Sequence, residues 1–344
     1  MDRTIAEFEA SNDALHDLPE LRRRLNAEGY LFFRRLQDPD KLLALRADIT
    51  RVLMEGGWLQ PGTDPMDAIY RPGAQCTEGD LEYTDVYHQM YKLESFHRSG
   101  HWPEVLSLIG KIAGEPVLPH PQKIARLWFP KYTEHTTPVH QDFVHFQGSY
   151  DTYTCWAPVG NCPIKLGGLA VLPGSHRMRA IRDHHFSLGA GGLAVEVSEA
   201  EGTWLSTDYQ IGDCLVFDSL MVHQALPNLT EDRLRISLDH RYQHAGLPIA
   251  VHMLQPHLQG LHPLTWEEVY AGWKNDELKY YWKNHDLQVL PRILAWGEQG
   301  FAQALDLASQ DDARAQHHLR RLVKRDPHTE QAQRAQAVLA AAGN

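Results

Sequence analysis

His140 and Asp142 stand two positions apart, and His223 follows far downstream. On an extended backbone, side chains at i and i+2 share a face, so an imidazole and a carboxylate can reach one metal ion together. Two histidines and one carboxylate on one side of a metal leave the other side open. That arrangement suits non-haem Fe(II), which must bind a cosubstrate and then dioxygen. A His-x-Asp triplet alone is weak, because a chain with 21 histidines yields about one by chance. Its setting strengthens it. Pro138-Val139-His140-Gln141-Asp142 lies between β-rich segments, and His223 lies between an apolar run turned by Gly212 and the turn at Pro227-Asn228.

A second group could bind an anion. Strand alternation over residues 233–242 puts Arg233, Arg235, Ser237 and Arg241 on one face and Leu234, Ile236 and Leu238 on the other. Repeated arginines on such a strand are either a solvated edge or a source of the guanidinium fork that grips a carboxylate bidentately. His97 and His101, at i and i+4, have no glutamate to complete an H-E-x-x-H pattern and read as two histidines on a half-exposed helix. His176, in a Pro-Gly-Ser-His turn, reads as a turn residue.

Elements that would position these groups can be placed. Residues 1–28 read as helical, followed by a short strand over 29–33. Asp38-Pro39 is a helix start, with Leu42, Leu45, Ile49, Val52 and Leu53 at helical spacing. Residues 60–80 form a long loop of the kind that serves as a lid or binding segment, and 81–110 are mostly helical. Beyond Gly114, β-rich runs at 123–129, 152–159, 168–172, 203–205, 212–217, 221–225 and 233–242 alternate with turns, which indicates an antiparallel sandwich or barrel. The glycines of 189–192 have the wrong spacing for a dinucleotide fingerprint. After about Gly246 the pattern turns helical and tryptophan-rich. The final helix starts at Asp326-Pro327 and lines Ala332, Ala335, Val338, Leu339 and Ala342 along one face, which must pack on the main body or on a partner.

Composition excludes several classes. The chain has 344 residues, 43% hydrophobic and 22% charged, as an ordinary globular protein does. A net charge of −11 argues against nucleic-acid binding. No signal peptide or membrane-length apolar run is read. The four cysteines form no C-x-x-C pair, so a reducing, cytoplasmic location is expected.

With these motifs in order, the chain resembles the phytanoyl-CoA dioxygenase (PhyH) family of Fe(II)/2-oxoglutarate oxygenases from about Gly29 to Gln243. The resemblance rests on Gly29-Tyr30-Leu31-Phe32-Phe33, His140-Gln141-Asp142, Tyr153-Thr154-Cys155-Trp156-Ala157-Pro158, Gly167-Gly168-Leu169 with Pro173-Gly174-Ser175-His176, Gly212-Asp213, His223 with Pro227-Asn228, and Arg235-Ile236-Ser237-Leu238. It implies a mainly β fold: a double-stranded β-helix (jelly-roll, cupin-like) core at about 115–245, with N-terminal helices. The oxygenase domain would span 1–290 and a small helical extension 291–344. It implies Fe(II) on His140, Asp142 and His223, and Arg235, with Arg233 as rival, on the distal carboxylate of 2-oxoglutarate. Ser237, Trp156, Thr137 and Lys123, or Arg126 on the opposite face from Lys123, would line the cosubstrate pocket. Phe143, His145 and Phe146 would face a small-molecule substrate. Where the family often has a hydroxyl two residues after the second histidine, this chain has Ala225.

The implied reaction couples oxidative decarboxylation of 2-oxoglutarate, with dioxygen, to hydroxylation of an unactivated C–H bond, releasing succinate and CO2. Asp142 fills the position that halogenating relatives leave to chloride. Desaturation, cyclisation or epimerisation at the same centre stays open, as does a catalytically silent jelly-roll that binds a ligand or partner. Neither substrate nor oligomeric state is legible, and the C-terminal helices are a candidate contact surface.

Overall fold

The computed structural model describes residues 5–259 and 263–342. The first four residues of the expected N-terminal helix and the last two of the extension lie outside these. In chain order come β1 (Ile5–Ala6), α1 (Leu18–Glu28), β2 (Tyr30–Phe33), α2 (Pro39–Glu55), α3 (Leu81–Tyr91), α4 (Glu94–Ser99) and α5 (Pro103–Ala113). Next are β3 (Val117–Pro119), β4 (Ile124–Trp128), β5 (His140–Gln141), α6 (Phe143–Phe146), β6 (Thr152–Pro158), β7 (Leu169–Val171), β8 (His184–Phe186) and β9 (Leu193–Val195). Then follow β10 (Trp204–Leu205), β11 (Cys214–Asp218), β12 (Val222–Ala225), β13 (Arg235–His244), β14 (Ile249–Ala250), α7 (Trp266–Tyr270) and β15 (Val289–Leu290). Three helices close the chain: α8 (Ala295–Ser309), α9 (Ala313–Arg325) and α10 (Glu330–Ala342).

Two sheets make the core. One has the order β1-β10-β7-β12-β5; the other runs β2-β11-β6-β13-β3, with β4 also paired to β13. Within the core the pairings are antiparallel, apart from the parallel β1–β10 pair at one edge. Strand alternation divides the side chains between layers. Phe32, Trp156, Leu215 and Phe217 pack with Leu169 and Val171 of the other sheet. On the outer face Ile236 and Leu238 of β13, and Leu234 just before it, lie in one cluster with Leu42, Leu45 and Ile49 of α2 and Tyr83 and Tyr87 of α3. Leu31, Phe33 and Val216 meet α1 and α5 through Leu21, Leu25, Val105 and Ile109. The fold is the jelly-roll expected, with helices outside and the polar residues of β13 turned inward.

Three local readings need correction. The N-terminal segment is not all helix, because β1 pairs with β10 before α1 begins. Between Gly246 and Leu294 the described residues are mostly irregular apart from α7, and the helical pattern holds only from α8 onward; Trp273 and Trp282 pack in the main core, with the Trp273 Nε1–H on the Lys92 carbonyl at 3.0 Å. The last helix starts at Glu330, capped by the Thr329 hydroxyl, while Asp326 and Pro327 form the preceding turn. Its alanine face packs on α8 and α9 through Phe301, Ala304, Leu319 and Leu322.

Gly29 illustrates how tightly these layers meet. It ends α1 in the left-handed region, φ 81°, and passes the chain directly into β2. A Cβ there would strike the His176 ring and the Met221 methyl. Gly29→Ala should therefore lower unfolding free energy by about 1–3 kcal/mol, measured by urea denaturation.

Candidate active site

β12 lies between β5 and β7, and its register sets His223 directly opposite His140. The two rings lie 4.1 Å apart. Each Nδ1 meets a backbone carbonyl two residues upstream: Pro138 O at 2.8 Å for His140 and Met221 O at 2.9 Å for His223. Because a carbonyl only accepts, Nδ1 carries the proton and Nε2 offers its lone pair to the site.

β5 stops at Gln141, and Asp142 takes a helical conformation, φ −63° and ψ −31°, at the start of α6. The extended i, i+2 argument is therefore replaced by a strand-to-helix turn. The side chains still converge, with Asp142 Oδ1 at 3.5 Å from His140 Nε2 and 3.8 Å from His223 Nε2. All three residues are buried, and among the described residues they are the one group spaced to hold a metal ion.

Thr154, which had no role in the sequence reading, and Arg241, one of the arginines read on a single strand face, fix the carboxylate. Thr154 of β6 and Arg241 of β13 are cross-strand partners on one face. The Thr154 hydroxyl donates to Asp142 Oδ2 at 2.5 Å, and Arg241 Nη2 donates to Oδ1 and Oδ2 at 3.1 and 3.2 Å. Burial alone would raise the Asp142 carboxyl, but Arg241 and the flanking histidines outweigh it and hold it well below the usual range. Burial, reinforced by His140, pushes His223 down to about 4, so it is neutral near pH 7. The signal for Thr154 and Arg241 was alternation: they lie two residues from Trp156 and six from Arg235, on the faces already in view.

Arg235 is 1% exposed, and its Nε, Nη1 and Nη2 have no hydrogen-bond acceptor among the described residues. It lies between the indoles of Trp128 and Trp156, at 5.7 and 5.9 Å from their centroids. Ser237 Oγ and Trp156 Nε1 are likewise buried without a partner. One narrow cavity is lined by Arg235, Trp156, Thr137, Ala225 and all three of His140, Asp142 and His223. A buried, unpaired guanidinium costs several kcal/mol, so this pocket is built for an anion. A dianionic chelator with one carboxylate at the metal and one at Arg235 matches it.

Other candidates fall elsewhere. Arg233 is exposed and precedes β13, so it does not face this cavity. Lys123 is buried on the other side of β4, where Nζ donates to the His120 carbonyl at 3.2 Å and the Tyr281 hydroxyl at 3.3 Å. Arg126 does line the site, paired with Glu78 and Asp239. Glu78 comes from the end of the loop expected to be a lid. Phe143 turns away onto Tyr150 and Trp296. His145 and Phe146 instead line a wider cavity of about 290 Å³ that also touches His140, Asp142 and Arg241. His97 and His101 pack against Tyr91 and Tyr281, away from this site.

An oxygenase with a two-histidine, one-carboxylate centre in a jelly-roll is the class these features define. The model of the phytanoyl-CoA dioxygenase (PhyH) family matches residues 25–237, more than half of the chain, and the chain belongs to that family. The 1-deoxypentalenic acid 11-beta-hydroxylase of Streptomyces arenae is 24% identical over 275 residues, covering 74% of this chain and 92% of that one. Its namesake from Streptomyces exfoliatus is 23% identical over 274 residues, with the same coverage. Among solved structures, the epimerase SnoN in complex with Fe3+, alpha ketoglutarate and nogalamycin RO matches with a TM-score of 0.51 at 20% identity, over 72% of this chain and 93% of that one. That likeness concerns the fold. The protein is a non-haem iron, 2-oxoglutarate-dependent oxygenase. No helix of the described residues is long and apolar enough to cross a membrane.

Two outcomes are expected. Thr154→Val, which leaves Asp142 Oδ2 without its donor, should weaken Fe(II) binding about 10- to 100-fold in a competitive chelator titration. Lys123 gives a pH test. Burial pushes its amine down to about 7, against about 10.4 in an unfolded chain, so between these values the unfolded state binds more protons. Stability should climb as pH rises from 7 towards 10. Lys123→Met should remove that climb in denaturation curves and leave the affinity for 2-oxoglutarate unchanged.

Proposed function

We propose that His140, Asp142 and His223 hold the Fe(II), that Arg235 with Ser237 and Trp156 receives the distal carboxylate of 2-oxoglutarate, and that the enzyme hydroxylates a C–H bond of a small molecule. The observation that carries this reading is the buried Arg235 guanidinium with no acceptor, at one end of a cavity whose other end is the histidine–carboxylate group. When bound, iron and 2-oxoglutarate supply the oxidising power for the C–H bond, with dioxygen as oxidant and succinate and CO2 as products.

The chain's own residues do the positioning. Pro138 and Met221 carbonyls fix the histidine rings, and Thr154 and Arg241 fix the carboxylate. Trp128 and Trp156 flank the Arg235 guanidinium and keep water from it, so its pull on the cosubstrate is strong. Ala225 brings no hydroxyl to the cavity, which leaves Arg235 the larger share of binding, with the unpartnered Ser237 hydroxyl two residues along the same strand face. Hydroxylation is preferred over desaturation, cyclisation or epimerisation because two curated relatives that cover most of the chain are hydroxylases by name.

Succinate formation from 2-oxoglutarate tests the site. Asp142→Ala should abolish it, and full turnover in that variant would sink the assignment. Arg235→Ala should raise the KM for 2-oxoglutarate by about 100-fold, as expected for losing a buried charge-assisted pair. Arg233→Ala should change it less than twofold.

A further inference from the structure

A second cavity, of about 420 Å³, lies between the core and the C-terminal helices. Phe186 and Leu193 of the β8–β9 hairpin form one wall, and Ile293, Leu294, Trp296 and Phe301 form another. It adjoins the 290 Å³ cavity beside the metal ligands, since His145, Gly191 and Arg292 line both. Gly191 keeps this neck open: its φ is 86°, and a Cβ there would come within 2.9 Å of His145 Cε1. The far wall is held in place from the metal side. Gln147, one residue beyond α6, accepts from the Ile293 N–H at 2.7 Å and donates to its carbonyl at 2.9 Å. Ile293 and Leu294 are nevertheless 50% and 56% exposed, so apolar surface is left for a ligand to cover.

Charge points to the ligand's class. Three carboxylates (Glu78, Asp142, Asp239) and four arginines (Arg126, Arg235, Arg241, Arg292) line the two cavities that contact the metal ligands. Arg126 pairs with Glu78 and Asp239, and Arg241 with Asp142. Fe(II) and dianionic 2-oxoglutarate cancel one another, so the three carboxylates and four arginines leave one positive charge across the two cavities. Arg292, exposed at the neck, has no ion pair among the described residues, and Glu298 is the carboxylate that lines the chamber with it. A protein of net charge −11 thus keeps a positive balance at this centre.

Building on the cofactor assignment above, we propose that the substrate is an amphipathic acid. Its carboxylate pairs with Arg292 at the neck, its oxidised carbon lies on the metal side, and its apolar remainder occupies the chamber under α8 and α9. Arg292 and these helices lie outside residues 25–237, which the family model matches.

The test uses a matched fluorescent pair, pyrenebutyric acid and pyrenebutanol, titrated into the full-length Fe(II)–2-oxoglutarate protein without oxygen. The acid should bind at least about tenfold more tightly than the alcohol, a ratio set by one charge-assisted contact. Arg292→Gln should erase that preference while leaving alcohol binding unchanged. Leu294→Asp, at an exposed helix N-cap where aspartate is well tolerated, should weaken both ligands about tenfold. Equal affinity for acid and alcohol, a preference that survives Arg292→Gln, indifference of both to Leu294→Asp, or no binding of either would overturn the proposal. Calorimetric titration of the Fe(II) protein with 2-oxoglutarate alone reports separately on the cofactor assignment.

Discussion

A one-residue slip of β12 against β5 would turn His223 to the opposite face of its sheet and dissolve the site. The whole arrangement rests on this short antiparallel register, in which His223 opposes His140 and Ala225 opposes Leu169 on the other flank. Burial defends it. Val222 on the alternate face is fully buried with Ala170, Leu172 and Trp204, so a slip would exchange apolar packing for a buried imidazole. The chemistry and the core therefore depend on the same pairing.

The second constraint is electrostatic. β13 turns Arg235, Ser237, Asp239, Arg241 and Gln243 to one buried face, while Ile236 and Leu238 meet the helices outside. Arg241 is balanced by Asp142 within the protein; Arg235 is not. A strand that buries an unanswered guanidinium gives up stability, and such a cost is sustained where a ligand restores it. One strand thus divides the labour between holding a metal ligand and waiting for a cosubstrate.

Much of this was legible because it is local and periodic. The seven β-rich runs read from residue 123 onward correspond to β4, β6, β7, β10, β11, β12 and β13, since alternation and turn residues are properties of neighbouring positions. The order of His140, Asp142, His223 and Arg235 along those strands was visible for the same reason. Contacts between distant residues were not. Thr154 and Arg241 gain their importance only when β6 and β13 pair beside α6. The helical turn at Asp142 carries Phe143 onto Tyr150 and Trp296, away from the cavity, while His145 and Phe146 line it as read. The tryptophan-rich stretch after Gly246 reads as helical, yet up to Leu294 the chain follows the core surface mostly irregularly, with Trp273 and Trp282 buried in the core. The β8–β9 hairpin is only three residues long on each side and gave no periodic signal.

The most direct measurement is an anaerobic spectroscopic titration of the Fe(II) protein with 2-oxoglutarate. Bidentate chelation by the cosubstrate produces a visible metal-to-ligand charge-transfer band. The wild-type protein should develop that band to saturation at one equivalent. Arg235→Ala should reach it only at far higher 2-oxoglutarate, and His223→Ala should not develop it at all. A band of full intensity in His223→Ala, or none in the wild-type protein, would contradict the assignment of this site.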